Sequence, residues 1–153
     1  MQHVKPKKKL GQHFLKDDNL AKKIVDSFNS ALHTNNILEI GPGMGALTKH
    51  LLPIPTDSVV KLAEIDQDSI SYLINKFPEL NGTIISADFL KMDITTVFKG
   101  PISILGNFPY NISSQIIFKM LAERDRVKLL VGMFQKEVAE RICAPPKNKR
   151  MAF

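Results

Sequence analysis

The chain has 153 residues, 44% of them apolar and 24% charged, which suits one globular domain with a real core and is short for two. Its net charge of +6 is concentrated at the start: residues 1–23 hold seven lysines against two aspartates, and the remaining residues are close to neutral. No apolar run reaches the ~18 residues of a membrane-crossing helix, and no apolar stretch follows the N-terminal charges, so neither a helical span nor a secretory signal is expected.

Residues 1–10 read as a basic arm in which Lys5, Lys7, Lys8 and Lys9 could neutralise phosphates, although a solvated tail would have the same composition. A helix is expected from Asp17 or Asp18 to about Leu32, with Leu20, Ile24, Val25 and Phe28 at helical spacing. Residues 37–40 form a short apolar strand running into a glycine-rich turn at 41–45. A helix over about 46–52 is stopped by Pro53 and Pro55. A second strand at 58–65 precedes a helix at 68–76, and a third at 83–87 precedes an irregular stretch to Asp93. A fourth strand at 101–105 ends at Gly106-Asn107, followed by a helix at 113–123, a fifth strand at 128–134 and a helix at 136–142. Apolar strands without a period of two, alternating with helices, predict an α/β domain. Its sheet is mostly parallel, with helices on both faces.

Lone Cys143 excludes an internal disulfide and suits a reducing, cytoplasmic setting. The histidines His3, His13, His33 and His50 lack ligand spacing, so no metal is expected.

Glu39-Ile40-Gly41-Pro42-Gly43-Met44-Gly45-Ala46 lies between a strand and a helix, where glycines let the backbone turn sharply and approach a ligand. Glu64, at the end of the next strand, can accept hydrogen bonds from a ribose diol. Gly41, Gly43 and Ala46 fit the G-x-G-x-x-A pattern of dinucleotide sites. The same segment fits E-x-G-x-G-x-G, the first motif of methyltransferases. The turn alone leaves both open.

Asn107-Phe108-Pro109-Tyr110 after the fourth strand separates them. It has the form of the (N/D/S)-(P/L/F)-P-(Y/F) motif that serves methyl transfer to exocyclic amines. Adenine N6 is a poor nucleophile because its lone pair is delocalised into the ring. Two acceptors, the Asn107 side-chain carbonyl and the Phe108 main-chain carbonyl, can hold its N–H bonds and aim the lone pair at a methyl donor. Pro109 stiffens the turn, and Tyr110 offers a face on which a flipped base stacks.

In order along the chain, KKLGQHFL (8–15), LEIGPGMGALT (38–48), AEID (63–66), SADFLKMD (86–93), LGNFPYNISS (105–114) and FQKEVAERI (134–142) resemble the KsgA/RsmA family of small-subunit rRNA adenine N6-dimethyltransferases. The resemblance spans residues 7–146. It implies a Rossmann-like class I domain dependent on S-adenosyl-L-methionine, with S-adenosyl-L-homocysteine as product. His13 and Leu15 would close over the cofactor, Gly41 and Gly43 approach it, and Glu64 bind its ribose. Ile65 would pack on its adenine, with a place in the core as the equal alternative, while Asp88 would bind the adenine amino group and Asn107 touch both cofactor and target base. The implied target is two adjacent adenines near the 3′ end of small-subunit rRNA, methylated during ribosome maturation by an enzyme that is monomeric at full length and binds no membrane. The lysine arm would contact phosphates and not bases.

Beyond Glu137 the family continues with a P-G-S-x-x-Y-G-x-L-S segment, which residues 144–153 do not match. The last strands of the sheet, the small C-terminal helical domain and an aromatic wall for the target base are therefore expected to be missing. Residues 1–153 then amount to an incomplete cofactor-binding domain, expected to bind cofactor weakly and not to methylate alone. Two other readings are a nicotinamide-dependent oxidoreductase, which leaves the 107–110 motif without a role, and a non-catalytic RNA-binding factor on the same fold. The intact Glu64, Asp88, Asn107 and Tyr110 speak against the factor.

Overall fold

The computed structural model describes residues 4–8 and 14–146. Five strands, β1 (Asn36–Ile40), β2 (Val59–Glu64), β3 (Ile84–Ser86), β4 (Ile102–Asn107) and β5 (Val127–Met133), form one sheet in the order β3-β2-β1-β4-β5. Every pairing is parallel. The helices are α1 (Asp18–Ala31), α2 (Thr48–Leu51), α3 (Gln67–Lys76), α4 (Ser113–Ala122) and α5 (Lys136–Cys143), with short 3₁₀ turns at Pro78–Leu80 and Ile94–Thr96.

Period two on buried strands divides the core between the two faces of the sheet. Ile37 and Leu105 turn to one face, where they pack with Ala21, Val25 and Phe28 of α1. Leu38, Ile40, Ile102 and Ile104 turn to the other and pack with Phe89, Phe108 and the α4 residues Ile116 and Met120. The α1 residues recur at i, i+4 and i+7, and Asp17 caps the helix by accepting the Leu20 N–H at 3.0 Å. The α/β architecture expected from the alternation is what forms.

One helix is shorter than its sequence suggests. Residues 46–52 were expected to be helical, but α2 holds only Thr48–Leu51. Gly41, Gly43 and Gly45 all have positive φ (62°, 56° and 81°), and the turn they build runs on through Ala46 and Leu47 before the helix starts.

From β1 the chain builds outward to β2 and β3, then crosses back to lay β4 on the other side of β1. The carboxyl ends of β1 and β4 are therefore adjacent, with Ile40 paired to Gly106. Chains leaving in opposite directions at such a switch point leave a crevice between them. The turns at 41–45 and 107–110 flank it.

Candidate active site

A cavity of about 870 Å³ opens at this point. Its lining includes Leu15, Gly41, Gly43, Glu64, Ile65, Asp88, Asn107 and Pro109, so residues spread over 95 positions of sequence converge on one space. The volume is that of a pocket for a nucleoside-sized ligand.

The glycine turn forms one wall. A Cβ on Gly43 would come within 3.2 Å of the Phe14 ring, in a backbone conformation that already disfavours side chains. A Cβ on Gly41 would meet nothing within 4 Å, so backbone and open cavity face each other there. The Gly41 N–H donates to the Ala63 carbonyl at 2.9 Å, which ties the turn to β2.

Glu64 ends β2 and is 3% exposed. Its Oε2 accepts the Gly43 N–H at 3.0 Å, and its Oε1 accepts the N–H groups of Ile65 (2.9 Å) and Asp66 (3.0 Å). It therefore clasps the glycine turn to β2 as well as facing the cavity. Burial raises its pKa, and the three N–H donors work against that rise. A carboxylate offers about four acceptor positions, so one stays open to a ligand hydroxyl. Ile65, 49% exposed, is cavity wall and not core.

Glu39 was noted only as part of the motif, yet it lines the same cavity at 1% exposure. It accepts a hydrogen bond from the Thr48 hydroxyl at 2.8 Å. Burial drives its pKa up to about 8, the Thr48 hydroxyl opposes this, and the nearby Glu64 adds to it. The signal that could have found it is its place two residues before Gly41.

Asp88 opens a tight turn after β3. Its Oδ1 accepts the Leu90 N–H at 3.0 Å, and its carbonyl accepts the Lys91 N–H at 3.0 Å.

Asn107 and Pro109 of the fourth-strand motif line the cavity. Phe108 does not; its ring is 1% exposed and lies 4.8 Å from the Phe134 ring. The ring covers two glycines, Gly106 and Gly132, which face each other on β4 and β5. A Cβ on Gly132 would stand 2.3 Å from both the Gly106 carbonyl and the Phe108 ring. This socket holds the turn on the sheet and leaves Phe108 only its main chain to offer. Gly132 had no motif to mark it. Tyr110 is half-buried in the same turn, which is closed by the Ile112 N–H on the Pro109 carbonyl at 3.2 Å.

The arm differs from the uniform basic segment expected. Lys5 lines the cavity beside Val4 and Pro6, and Lys8 is exposed. Lys7, read as a phosphate contact, instead forms ion pairs with Asp66 and with Asp68 (2.7 Å) at the start of α3. Those partners raise its pKa and hold its charge against the protein. Lys9 and His13 lie outside the described residues. Among the described residues no three His, Cys, Asp or Glu side chains are grouped to hold a metal ion. Lys16, Lys49 and Lys76 also line the cavity, and no sequence signal had marked them.

A family model described as ribosomal RNA adenine dimethylase matches residues 3–152. A Parabacteroides distasonis protein named ribosomal RNA small subunit methyltransferase A is 50% identical over 97% of this chain and 55% of its own length. Its namesake from Flavobacterium johnsoniae is 52% identical over 97% and 56%. The chain thus spans about half the length of the curated relatives it matches. Among solved structures, a dimethyladenosine transferase from Plasmodium falciparum superposes with a TM-score of 0.68 at 34% identity, over 87% of this chain and 47% of that one. An S-adenosylmethionine-dependent methyltransferase from Clostridium acetobutylicum shares the fold, with a TM-score of 0.55 at 19% identity over 78% of this chain and 50% of that one.

Proposed function

The chain belongs to the ribosomal RNA adenine dimethylase family, and from that premise we propose that residues 1–153 are the S-adenosyl-L-methionine-binding domain of an enzyme that dimethylates adenine N6. Its substrate would be two adjacent adenines near the 3′ end of small-subunit rRNA, in the cytoplasm, during ribosome maturation. The full-length enzyme would act as a monomer without a membrane.

The observation that carries this reading is the pairing of Ile40 with Gly106, which brings the glycine-turn cavity and the Asn107 turn to one crevice. The cavity fits the cofactor: Gly41 and Gly43 leave its wall open to the main chain, Glu64 and Asp88 suit a cationic ligand, and there is volume for a nucleoside. S-adenosyl-L-methionine supplies an electrophilic methyl group on a sulfonium centre.

Glu64 would accept one ribose hydroxyl at its remaining acceptor position, with Ile65 against the adenine and Asp88 on its amino group. Gly41 and Gly43 let the main chain approach, and Leu15 would close over the cofactor, a role the family resemblance gives His13 as well. Asn107 and the Phe108 carbonyl would hold the two N–H bonds of the target amine, which pyramidalises the nitrogen and directs its lone pair. Pro109 fixes that turn and Tyr110 stacks on the base. After transfer the ammonium is acidic enough to lose its proton to water, so no tuned base is required. Lys5, Lys8 and Lys9 would meet RNA phosphates, and Lys7 would do so only by leaving Asp66 and Asp68.

Thermal-shift titration of this chain with S-adenosylhomocysteine and with NADH tests the cofactor assignment. Stabilisation by the first and not the second is expected. The reverse order would favour the dinucleotide reading of the glycine turn.

A further inference from the structure

The turn at residues 88–92 presents Asp88 to the cavity and is pinned from behind by a lysine that no motif singles out. Asp88 commits one carboxylate oxygen to the Leu90 N–H; the other carries no hydrogen bond among the described residues. Phe89, 4% exposed, anchors the turn in the core beside Phe108, Ile116 and Met120. That anchor fixes where the turn sits but not how its peptide planes are rotated.

Two main-chain hydrogen bonds close the turn, from Lys91 N–H to the Asp88 carbonyl and from Met92 N–H to the Phe89 carbonyl, and Lys119 of α4 ties it further. Its half-buried ammonium donates to the main-chain carbonyls of Leu90 (3.4 Å) and Met92 and lies 4.9 Å from the centre of the Phe89 ring. Three groups of one five-residue turn thus converge on a single cation. Charge-assisted hydrogen bonds are about twice as strong as neutral ones, and a ring face adds attraction for an ammonium. Among the described residues no carboxylate forms a salt bridge with Lys119. Its contacts are with the turn. The helix that carries it begins at Ser113, three residues after the 107–110 turn, so Lys119 also joins two segments that line the cavity.

We propose that Lys119 is a positioning residue that holds the 88–92 turn so that the second Asp88 oxygen faces the adenine amino group of the cofactor. The inference rests on the cofactor reading above. Without the ammonium, the Leu90 and Met92 carbonyls lose their donor, the turn rotates, and Asp88 meets the adenine off its line.

Calorimetric titration of the full chain with S-adenosylhomocysteine tests this on wild type, K119M, K119R, D88A and the D88A/K119M double variant. K119M should bind about tenfold more weakly, the scale of one hydrogen bond to a charged group, and K119R should stay within about twofold of wild type. In the D88A background K119M should add less than about a further twofold, because its effect passes through Asp88. If K119M does not fold, K119Q carries the test, keeping one donor and losing about threefold in affinity. Wild-type affinity in both K119M and K119Q would overturn the proposal, as would an equal loss from K119M with and without Asp88. A D88A variant that binds normally would overturn this proposal and the adenine role of Asp88 together. Loss in D88A with K119M and K119Q silent would overturn Lys119 alone.

Discussion

Replacing Glu39 with glutamine should flatten the dependence of stability on pH. Glu39 is almost fully buried, the Thr48 hydroxyl that donates to it is neutral, and burial pushes its carboxyl up to about 8 from an ordinary 4.5. Below pH 4.5 the group is neutral folded and unfolded, and the stability it permits is fully present. As pH rises the unfolded chain releases its proton first, so folding must take one up and stability falls. The fall continues through about pH 8, above which the buried group ionises in the folded chain too. At roughly 1.36 kcal/mol per pH unit, the loss across that window is on the order of 5 kcal/mol. Glu64, whose pKa is also raised, adds in the same direction. Asp18, lowered by Lys49 and His50, acts oppositely but lies on the surface, where ion pairs matter little. Glutamine keeps the shape and cannot ionise. Urea unfolding of both forms from pH 4.5 to 8.5 should give curves that meet at the acid end and diverge by several kcal/mol at the alkaline end, on the order set by that window. Parallel curves would show that Glu39 is ionised in the fold and that its burial has been misread.

Glu64→Ala should weaken S-adenosylhomocysteine binding by about 1.5–3 kcal/mol, and it should also loosen the Gly43 tether; calorimetry with unchanged affinity would remove Glu64 from the site. Asn107→Ala, in a protein of its relatives' full length, should slow methyl transfer at least about 100-fold while cofactor affinity falls less. Near-normal dimethylation in that variant would end its assigned role. Gly132→Ala should cost about 3 kcal/mol, because its Cβ would strike the Gly106 carbonyl and the Phe108 ring, and denaturant midpoints measure this directly. An undisturbed midpoint would mean that the socket under Phe108 is not tight.

Most of the fold was legible because its central strands β1 and β4 are buried on both faces. Segments such as Ile37-Leu38-Glu39-Ile40 and Ile102-Ser103-Ile104-Leu105 read as apolar runs whatever their neighbours, and the crossover helices follow from periodicity. The start of α2 was placed two residues early because Ala46 and Leu47 are good helix formers by composition, while in the structure the turn runs on through them. The site was legible where chemistry demands a local pattern, as at Gly41, Gly43 and Asn107. It was illegible where a contact joins distant segments. The Lys7 pairs with Asp66 and Asp68 span 59 and 61 positions, and Lys119 reaches the turn at 90–92 from 27 or more positions away. The Gly106–Gly132 socket depends on strand register, which no single segment encodes. Glu39 was visible as a motif letter, but its chemistry comes from burial, which a letter does not record.

Methyl transfer to adenine N6 would take place across the crevice between β1 and β4. Undermethylated small ribosomal subunits, incubated with labelled S-adenosyl-L-methionine and a protein of its relatives' full length carrying residues 1–153, can be digested to nucleosides and analysed by mass spectrometry. The expected product is N6,N6-dimethyladenosine at two adjacent positions near the 3′ end, lost in the Asn107→Ala variant. Label on a ribose or a ring atom, or no methylated adenine from a sample that binds S-adenosylhomocysteine, would contradict it.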